Sequence, residues 1–161
     1  MTKIKFGTDG WRAIIAREFT VDNVARVAEA TAVWLLKNSK TPTVVVGHDC
    51  RFAGKLFAET VAKVMSAKGV KTLLANGFVS TPMISLGTVD HKADAGIIIT
   101  ASHNPPSYNG FKLKGSYGGP MTPSKVQEVE GSIPEKWSVD IDQFSIEELI
   151  SKGTVKIIDL E

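Results

Sequence analysis

Thirteen consecutive residues contain several of the side chains in this sequence that could act together in chemistry. They read TASHNPPSYNGFK and occupy positions 100–112. Ser102 offers a hydroxyl nucleophile, His103 an imidazole that can position or move a proton near neutral pH, and Lys112 a cation. Serine, asparagine and proline also build ordinary turns, which are far commoner than active-site loops. On residue types alone, the run indicates a turn and merely allows a site.

A buried strand leads directly into this run. Residues 95–100, AGIIIT, are mostly apolar without alternation, which is typical of a strand covered on both faces of a parallel sheet. In open α/β sheets, ligands bind beyond the carboxyl ends of the strands. The sequence therefore predicts that Ser102 lies at a sheet edge where binding sites are common.

A glycine-rich segment near the start of the chain, FGTDGWR (residues 6–12), contains a candidate anion ligand. Arg12 carries a planar fork of donors that suits phosphate oxygens, although most arginines are solvated surface residues. The flanking Gly7 and Gly10 favour the site. Arg12 is therefore a candidate for binding phosphate.

A third polar segment, VGHDCRF (residues 46–52), follows an apolar strand. Its Asp49 and Arg51 have opposite charges and stand two residues apart. We favour a local ion pair that shapes the loop over a direct role in chemistry.

The elements that must position these segments alternate between helices and strands. Apolar residues at three- and four-residue spacing predict a helix over Thr20–Lys37 with Thr20 as its N-cap, and a second helix ends at Gly69. Short apolar runs predict strands at 43–47, 70–75 and 95–100, and a brief antiparallel strand at 110–114. We expect further helices at 83–89, 122–129 with Thr122 as cap, and 146–151, and a strand at 154–159.

This alternation predicts an α/β fold, a three-layer αβα domain with a mixed, mostly parallel sheet. Residues 1–135 form the predicted domain, and residues 136–161 form a connector toward an absent second domain. The irregular composition of residues 131–142 favours that division.

Composition and charge exclude several classes of protein. The chain has 161 residues, with 19 Lys and Arg against 17 Asp and Glu, so its net charge of +2 gives no nucleic-acid surface. No apolar run predicts a signal peptide or a membrane span. Cys50 is the single cysteine, which excludes an internal disulfide and favours a reducing, cytoplasmic setting.

The three motifs, in this order, resemble those of the α-D-phosphohexomutases, the phosphoglucomutase and phosphomannomutase family, in their N-terminal domain. The serine run carries most of the resemblance. Two positions depart from the family pattern: Ala13 follows Arg12 where glycine is common, and Gly54 stands where serine is frequent. The resemblance implies that a phosphate on Ser102 is donated to a phosphosugar hydroxyl. A bound hexose bisphosphate then returns its other phosphate, which gives a net shift between positions 1 and 6.

The resemblance also implies roles for individual residues. Ser102, His103, Lys112 and Arg12 would be catalytic, with Lys112 transferring a proton. Arg12, Ser102, Asn104 and Lys112 would bind the substrate. A histidine that is only structural is nearly as good an interpretation of His103. Mg²⁺ would bind through the phosphate on Ser102, with its other ligands outside this chain because the family's metal loop is absent. The implied partners are hexose phosphate, hexose bisphosphate and the remaining domains of the same polypeptide.

Three other functions are compatible with parts of the sequence. We reject a serine hydrolase because adjacent residues in extended chain point apart and no Gly-x-Ser-x-Gly is present. We also reject a metal hydrolase, because its candidate ligands lack a metal-ligand spacing: His48, Asp49, His91 and His103. A non-enzymatic phosphoprotein or assembly module of the same fold stays open. The last sixteen residues resemble the family's passage into a second domain, which favours an inactive fragment of a longer enzyme. The preferred sugar stays undetermined.

Overall fold

The structure, a computed structural model, describes residues 2–8 and 10–161. Along the chain, six strands alternate with five helices in the following order: β1 Trp11–Ile14, α1 Val21–Asn38, β2 Thr43–His48, α2 Gly54–Ala67, β3 Lys71–Phe78, α3 Thr81–Asp90, β4 Ala95–Ile99, β5 Tyr108–Gly115, α4 Pro123–Gly131, α5 Ile146–Ser151 and β6 Val155–Ile158.

The strands form one mixed sheet in the order β1-β5-β4-β2-β3-β6. Strands β4, β2, β3 and β6 run parallel, and β5 pairs antiparallel with both β4 and β1. The carboxyl ends of β2 and β4 consequently meet the beginning of β5 at one edge. The predicted α/β fold with a mostly parallel sheet is confirmed.

Two apolar cores lie on opposite faces of the sheet, which confirms the three layers. The larger core contains buried residues of α1 and α2 together with Val44, Val46, Ile97 and Ile99. The smaller core contains Ile84 of α3 with the alternate strand residues, Val45 and Ile98 among them. Because β2 and β4 are covered on both faces, their sequences show no alternation.

The helix ends test the predicted caps. Thr20 accepts a hydrogen bond from the backbone N–H of Asn23 at 3.2 Å, so the predicted cap of α1 is confirmed. Thr122 is the N-cap residue of α4, as predicted, and its carbonyl oxygen accepts from the Val126 N–H at 3.0 Å, but its side chain makes no capping hydrogen bond. Its hydroxyl instead lies 3.4 Å from the Ser124 hydroxyl. Proline at the first position of α4 removes one of the backbone donors that lack a partner at this helix end.

The two edge strands of the sheet have different outcomes. Strand β1, which pairs antiparallel with β5, was not predicted. Strand β6 was predicted, and β6 pairs in parallel with β3. The residues after 135 thus contribute a strand to the same sheet. The division of the chain at residue 135 stays a prediction. No helix in the described ranges is both long and apolar enough to cross a membrane.

Candidate functional site

The site lies where the loops after β2 and β4 meet. The backbone N–H of Asp49, directly after β2, donates to the carbonyl oxygen of Ile99 at 3.1 Å. The Thr100 hydroxyl, directly after β4, donates to Asp49 Oδ2 at 2.5 Å. These two contacts join the loops at the carboxyl edge of the sheet, as predicted for Ser102 and its neighbours.

Ser102 is exposed and has a φ of +53°, in the left-handed region that favours glycine. A residue with a Cβ atom costs on the order of 1–3 kcal/mol in this conformation, and such residues concentrate at functional sites. The backbone N–H of Ser102 donates to the Thr100 hydroxyl at 3.2 Å. The loop therefore fixes Ser102 in a strained conformation and leaves its side chain at the surface.

His103 lies beside the Ser102 hydroxyl. Ser102 Oγ and His103 Nδ1 are 3.5 Å apart, at the outer limit of a hydrogen bond. Ser102 and His103 do not point apart as adjacent residues of extended chain would, and as the sequence predicted, because Ser102 is left-handed. The lack of a Gly-x-Ser-x-Gly elbow still argues against a serine hydrolase.

Arg51 does more than the predicted local ion pair. Its Nε lies 3.7 Å from Asp49 Oδ2, so the pair exists. Its two Nη atoms, however, donate to four backbone carbonyl oxygens of the loop that carries Ser102, the serine loop (residues 100–108), at distances between 2.7 and 3.0 Å. The acceptors belong to Ser102, Asn104, Pro105 and Tyr108. Sequence reasoning missed this role because backbone acceptors carry no residue signature.

Arg12 reaches the same loop from β1. Its Nη1 donates to Asn104 Oδ1 at 2.9 Å, and the backbone N–H of Asn104 donates to the carbonyl of Ala101 at 3.0 Å. The structure thus brings two predicted site residues, Arg12 and Asn104, into contact next to Ser102. An open groove of about 390 Å³ adjoins Arg12; its lining residues are Lys5, Gly7, Thr8, Gly10 and Arg12.

Lys112 lies in β5 opposite Ile98 and is only 4% exposed. Its neighbours Phe111 and Leu113 face the larger core, so Lys112 faces the other side of the sheet. Arg12 pairs with Gly110 and shares that side, which places the two cationic residues diagonally across β1 and β5. Both make further interactions with the chain.

The glycine-rich turn before β1 packs against Lys112. A Cβ atom on Gly10, whose φ is +89°, would come within 2.5 Å of the Phe111 carbonyl oxygen and 3.0 Å of Lys112 Cγ. Only glycine permits this approach together with that φ. Asp9 of the same motif lies outside the described residues.

Asn109 is a further residue that sequence reasoning did not single out. It is fully buried, donates to the Phe52 carbonyl oxygen at 3.3 Å and accepts from the Gly110 N–H at 2.9 Å. A Cβ atom on Gly110 would lie 2.4 Å from the carbonyl oxygen of Thr100. The Asn-Gly pair that ends the serine loop is the signal that could have revealed this close approach.

The described part of the chain does not form a metal site from its own side chains. No group of three or more His, Cys, Asp or Glu residues among them could hold a metal ion. Asp49, the carboxylate that contacts the start of the serine loop, is engaged by Thr100 and Arg51. A Mg²⁺ ion at Ser102 would need ligands from outside these residues.

The fold and the three motifs define a class of α/β/α domain with an exposed serine held at the carboxyl edge of its sheet. The sequence profile described as "Phosphoglucomutase/phosphomannomutase, alpha/beta/alpha domain I" matches residues 3–139. The chain therefore belongs to the phosphoglucomutase/phosphomannomutase family and contains that domain. The resemblance stated from the motifs is confirmed.

The relatives of this chain are mutases. A phosphoglucomutase of Staphylococcus saprophyticus is 29% identical over 162 residues, which cover 98% of this chain and 29% of the relative. A phosphoglucosamine mutase of Clostridium acetobutylicum is 34% identical over 125 residues, covering 78% of this chain and 28% of the relative. Among solved structures, a Thermus thermophilus protein assigned as a phosphomannomutase is 36% identical with a TM-score of 0.87, covering 99% of this chain and 34% of that protein. The chain thus spans about a third or less of these relatives.

Proposed function

We propose that this chain is the N-terminal catalytic domain of a phosphohexomutase in which Ser102 carries the transferable phosphate. The observation that carries the proposal is the exposed, left-handed Ser102 at the end of β4, within the residues that match the family. Its position beside Arg12 and Asn104 supports a phosphate site. The hydroxyl is available, while the loop behind it is hydrogen-bonded.

The reaction transfers one phosphoryl group in each direction. A sugar hydroxyl oxygen attacks the phosphorus on Ser102, the bond to Ser102 Oγ breaks, and the hydroxyl proton passes through a base to the departing Ser102 Oγ. In the return step, Ser102 Oγ attacks the other phosphorus of the hexose bisphosphate, the bond from that phosphorus to the sugar oxygen breaks, and the Ser102 proton passes to that sugar oxygen. Phosphoryl transfer depends mainly on alignment and on stabilising charge on the phosphoryl oxygens. We assign charge stabilisation to Arg12, proton transfer to Lys112, and positioning of the serine and substrate to His103 and Asn104.

Mg²⁺ would neutralise charge on the transferring phosphoryl group, as it does in other phosphoryl transfers. The phosphate on Ser102 would supply one of the oxygen ligands that this ion prefers. We assign its remaining ligands to residues beyond this chain.

The whole protein's substrate and partners are part of the proposal. Because the chain spans about a third or less of its relatives, we propose that further domains of a longer cytoplasmic polypeptide complete the sugar and metal sites. The relatives' names include phosphoglucomutase and phosphoglucosamine mutase, so the substrate is a hexose phosphate or an amino sugar phosphate. The alternative is a phosphorylated assembly module of the same fold without turnover.

Mapping the phosphate tests the assignment. The full-length protein is incubated with glucose 1,6-bisphosphate and analysed by intact mass and peptide mapping. We expect one phosphate on Ser102. A stable phosphate on Ser107 or Thr100, with Ser102 unmodified, would contradict the assignment.

Comparing turnover of the short and long chains tests the domain proposal. We expect the 161-residue chain to fold by itself, because helices cover both faces of its sheet. It should show no turnover of glucose 1-phosphate with Mg²⁺ and bisphosphate activator, whereas the full-length protein should turn over a hexose phosphate. Turnover by the short chain would contradict the need for further domains. A full-length protein that is phosphorylated but inactive on every hexose phosphate and amino sugar phosphate would favour the assembly module.

A further inference from the structure

The Arg51 side chain holds the serine loop by hydrogen bonds to the backbone of the loop and not to the loop's side chains. Nη2 donates to the carbonyl oxygens of Ser102 and Asn104 at 2.8 and 2.7 Å. Nη1 donates to those of Pro105 and Tyr108 at 2.8 and 3.0 Å. One guanidinium group therefore joins carbonyls spread over seven consecutive residues, from 102 to 108. Its side chain is 13% exposed, which limits competition from water.

The contacts close a ring around the proposed nucleophile. Arg51 binds the carbonyl of Ser102, and Thr100 binds the N–H of Ser102. Thr100 in turn donates to Asp49 Oδ2, the same oxygen that lies 3.7 Å from Arg51 Nε. Both backbone polar groups of Ser102 are therefore held by a network that begins and ends on the loop after β2. The network thus encloses a residue whose backbone is left-handed.

The two prolines of the loop suit this arrangement. In a trans peptide the C=O and the following N–H point in opposite directions. Arg51 donates to the carbonyl oxygens of Asn104 and Pro105. Each of these residues is followed by a proline, Pro105 or Pro106, which has no N–H that would need a partner. At Ser102, by contrast, the same geometry directs the N–H of His103 to the side of the loop away from Arg51. Arg51 therefore sets the direction of the peptide next to the nucleophile.

We propose that Arg51, oriented by Asp49, is a positioning residue that holds Ser102 Oγ in the direction required for phosphoryl transfer. This proposal rests on the proposed function, because it assigns Arg51 an effect on the chemistry of Ser102. Lysine cannot replace Arg51, since an ammonium group has three donors and no planar fork to reach four carbonyls. Charge alone is therefore insufficient.

Substituting Arg51 in the full-length protein tests the proposal. Arg51→Lys keeps the charge but loses the fork, and we expect kcat to fall about 100-fold, the scale of a small misplacement of reacting groups, with a much smaller change in KM. Deuterium uptake of residues 101–108 should become faster in the same variant. Added guanidinium should restore part of the kcat of Arg51→Ala, and methylammonium should not.

Arg17→Ala is the matched control, because Arg17 is an exposed arginine in the turn after β1. It should keep kcat and the uptake of residues 101–108. Wild-type kcat in Arg51→Lys, or a lost kcat with unchanged loop exchange, would overturn the proposal. Should Arg51→Ala fail to fold, Arg51→Lys and Asp49→Asn decide the same question by kcat and exchange.

The two proposals fail in different ways. A phosphorylated, active wild type whose Arg51→Lys variant is equally active overturns only the positioning role. A wild type without phosphoryl transfer overturns the proposed function and the positioning role of Arg51 together. In that case the exchange of residues 101–108 still shows whether Arg51 orders the loop.

Discussion

The serine loop and the connector segment between α4 and α5 (residues 132–145) are both held by charged side chains from other elements. Arg51 holds the serine loop by four carbonyls. The connector is held by α1: Arg26 Nε donates to the carbonyl of Pro134 at 2.7 Å, and Glu29 accepts from the Ser138 N–H at 2.7 Å. The difference lies in the side chains of the segments themselves.

In the connector, the serine side chain belongs to the network that holds the segment. Ser138 Oγ donates to Glu29 Oε1 and accepts from Lys68 Nζ at 2.9 Å. At Ser102, by contrast, the network holds only the backbone groups, and the Ser102 hydroxyl has one long contact with His103. Hydrogen bonding that stops at the backbone leaves a hydroxyl available for reaction. We therefore expect changes in the serine loop to affect activity, and changes in the connector to affect stability.

Removing the Ser102 hydroxyl should give the largest effect. In the full-length protein, Ser102→Ala should lower kcat about 10⁴-fold or more, the scale reached when an essential nucleophile is lost. Its melting temperature should stay close to that of the wild type, because exposed substitutions usually change stability by about 0.5 kcal/mol or less. Ser107→Ala, at an exposed serine of the same loop, should keep its activity. Substantial turnover by Ser102→Ala would remove the serine loop from the chemistry.

Lys112, in β5 after the serine loop, and Lys68, at the end of α2 beside the connector, form a matched pair of lysines. Lys112→Met should lower kcat about 10²–10⁴-fold with little change in KM, the usual range for general acid–base catalysis. Lys68→Met should keep kcat and lower stability, because Lys68 pairs with Glu29 at 2.7 Å. Steady-state kinetics and thermal unfolding of both variants separate these outcomes.

A different result would reassign Lys112. If Lys112→Arg keeps most activity and Lys112→Met chiefly raises KM, Lys112 binds phosphate and does not transfer a proton. His103, 3.5 Å from Ser102 Oγ, then becomes the better candidate for proton transfer.

The sequence predicted the elements whose signals are local. The Thr20 cap and the apolar spacing of the first helix gave α1, and the unalternating residues of β2 and β4 gave a sheet buried on both faces. Strand β1 was missed because its four residues pair only with β5, about a hundred positions away. A short strand of this kind has no local signal that outweighs its surroundings.

The sequence indicated which residues could form the candidate site, but it did not indicate how those residues are arranged. Ser102, Arg12 and Asn104 stand in motifs that could be read directly, and the last two are in contact. Arg51 donates to backbone groups that lie 51 to 57 positions further along the chain. Those groups belong to the loop in which Ser102 has its positive φ. Backbone acceptors are the same for every residue type, so no composition or spacing could predict them.

Acid should weaken the connector through Glu29. Burial favours the neutral form of Glu29, but hydrogen bonds from Lys68 and Ser138 and the charge of Lys68 outweigh it, so the pKa of this carboxyl group is lowered. A carboxyl group with a lowered folded pKa stabilises the fold above its unfolded pKa, and loses that contribution as the pH falls through the folded pKa. The contribution is therefore present above the ordinary glutamate value, near 4.5, and declines below it.

Glu29→Gln measures this contribution in the 161-residue chain. At pH 7, the variant should lose about 1–3 kcal/mol of unfolding free energy, because hydrogen bonds to a charged acceptor are replaced by weaker ones. Below pH 4.5, the difference from the wild type should shrink. Urea unfolding at about pH 3 to pH 7 checks both points, because a carboxylate loses its contribution to stability within about this pH range. A constant difference across that range would show that Glu29 acts by packing alone.

The smallest effect should come from Ser138→Ala, which removes one hydroxyl just as Ser102→Ala does. The variant loses the Ser138 Oγ contacts to Glu29 and Lys68, but the Ser138 N–H still donates to Glu29 Oε2 at 2.7 Å, and Lys68 still pairs with Glu29. We therefore expect a loss of about 1 kcal/mol in unfolding free energy, less than in Glu29→Gln, with kcat of the full-length protein unchanged. Urea unfolding and steady-state kinetics measure the two quantities. A fall in kcat comparable to that of Ser102→Ala would show that the connector, too, controls the chemistry, and the contrast between the two serines would be wrong.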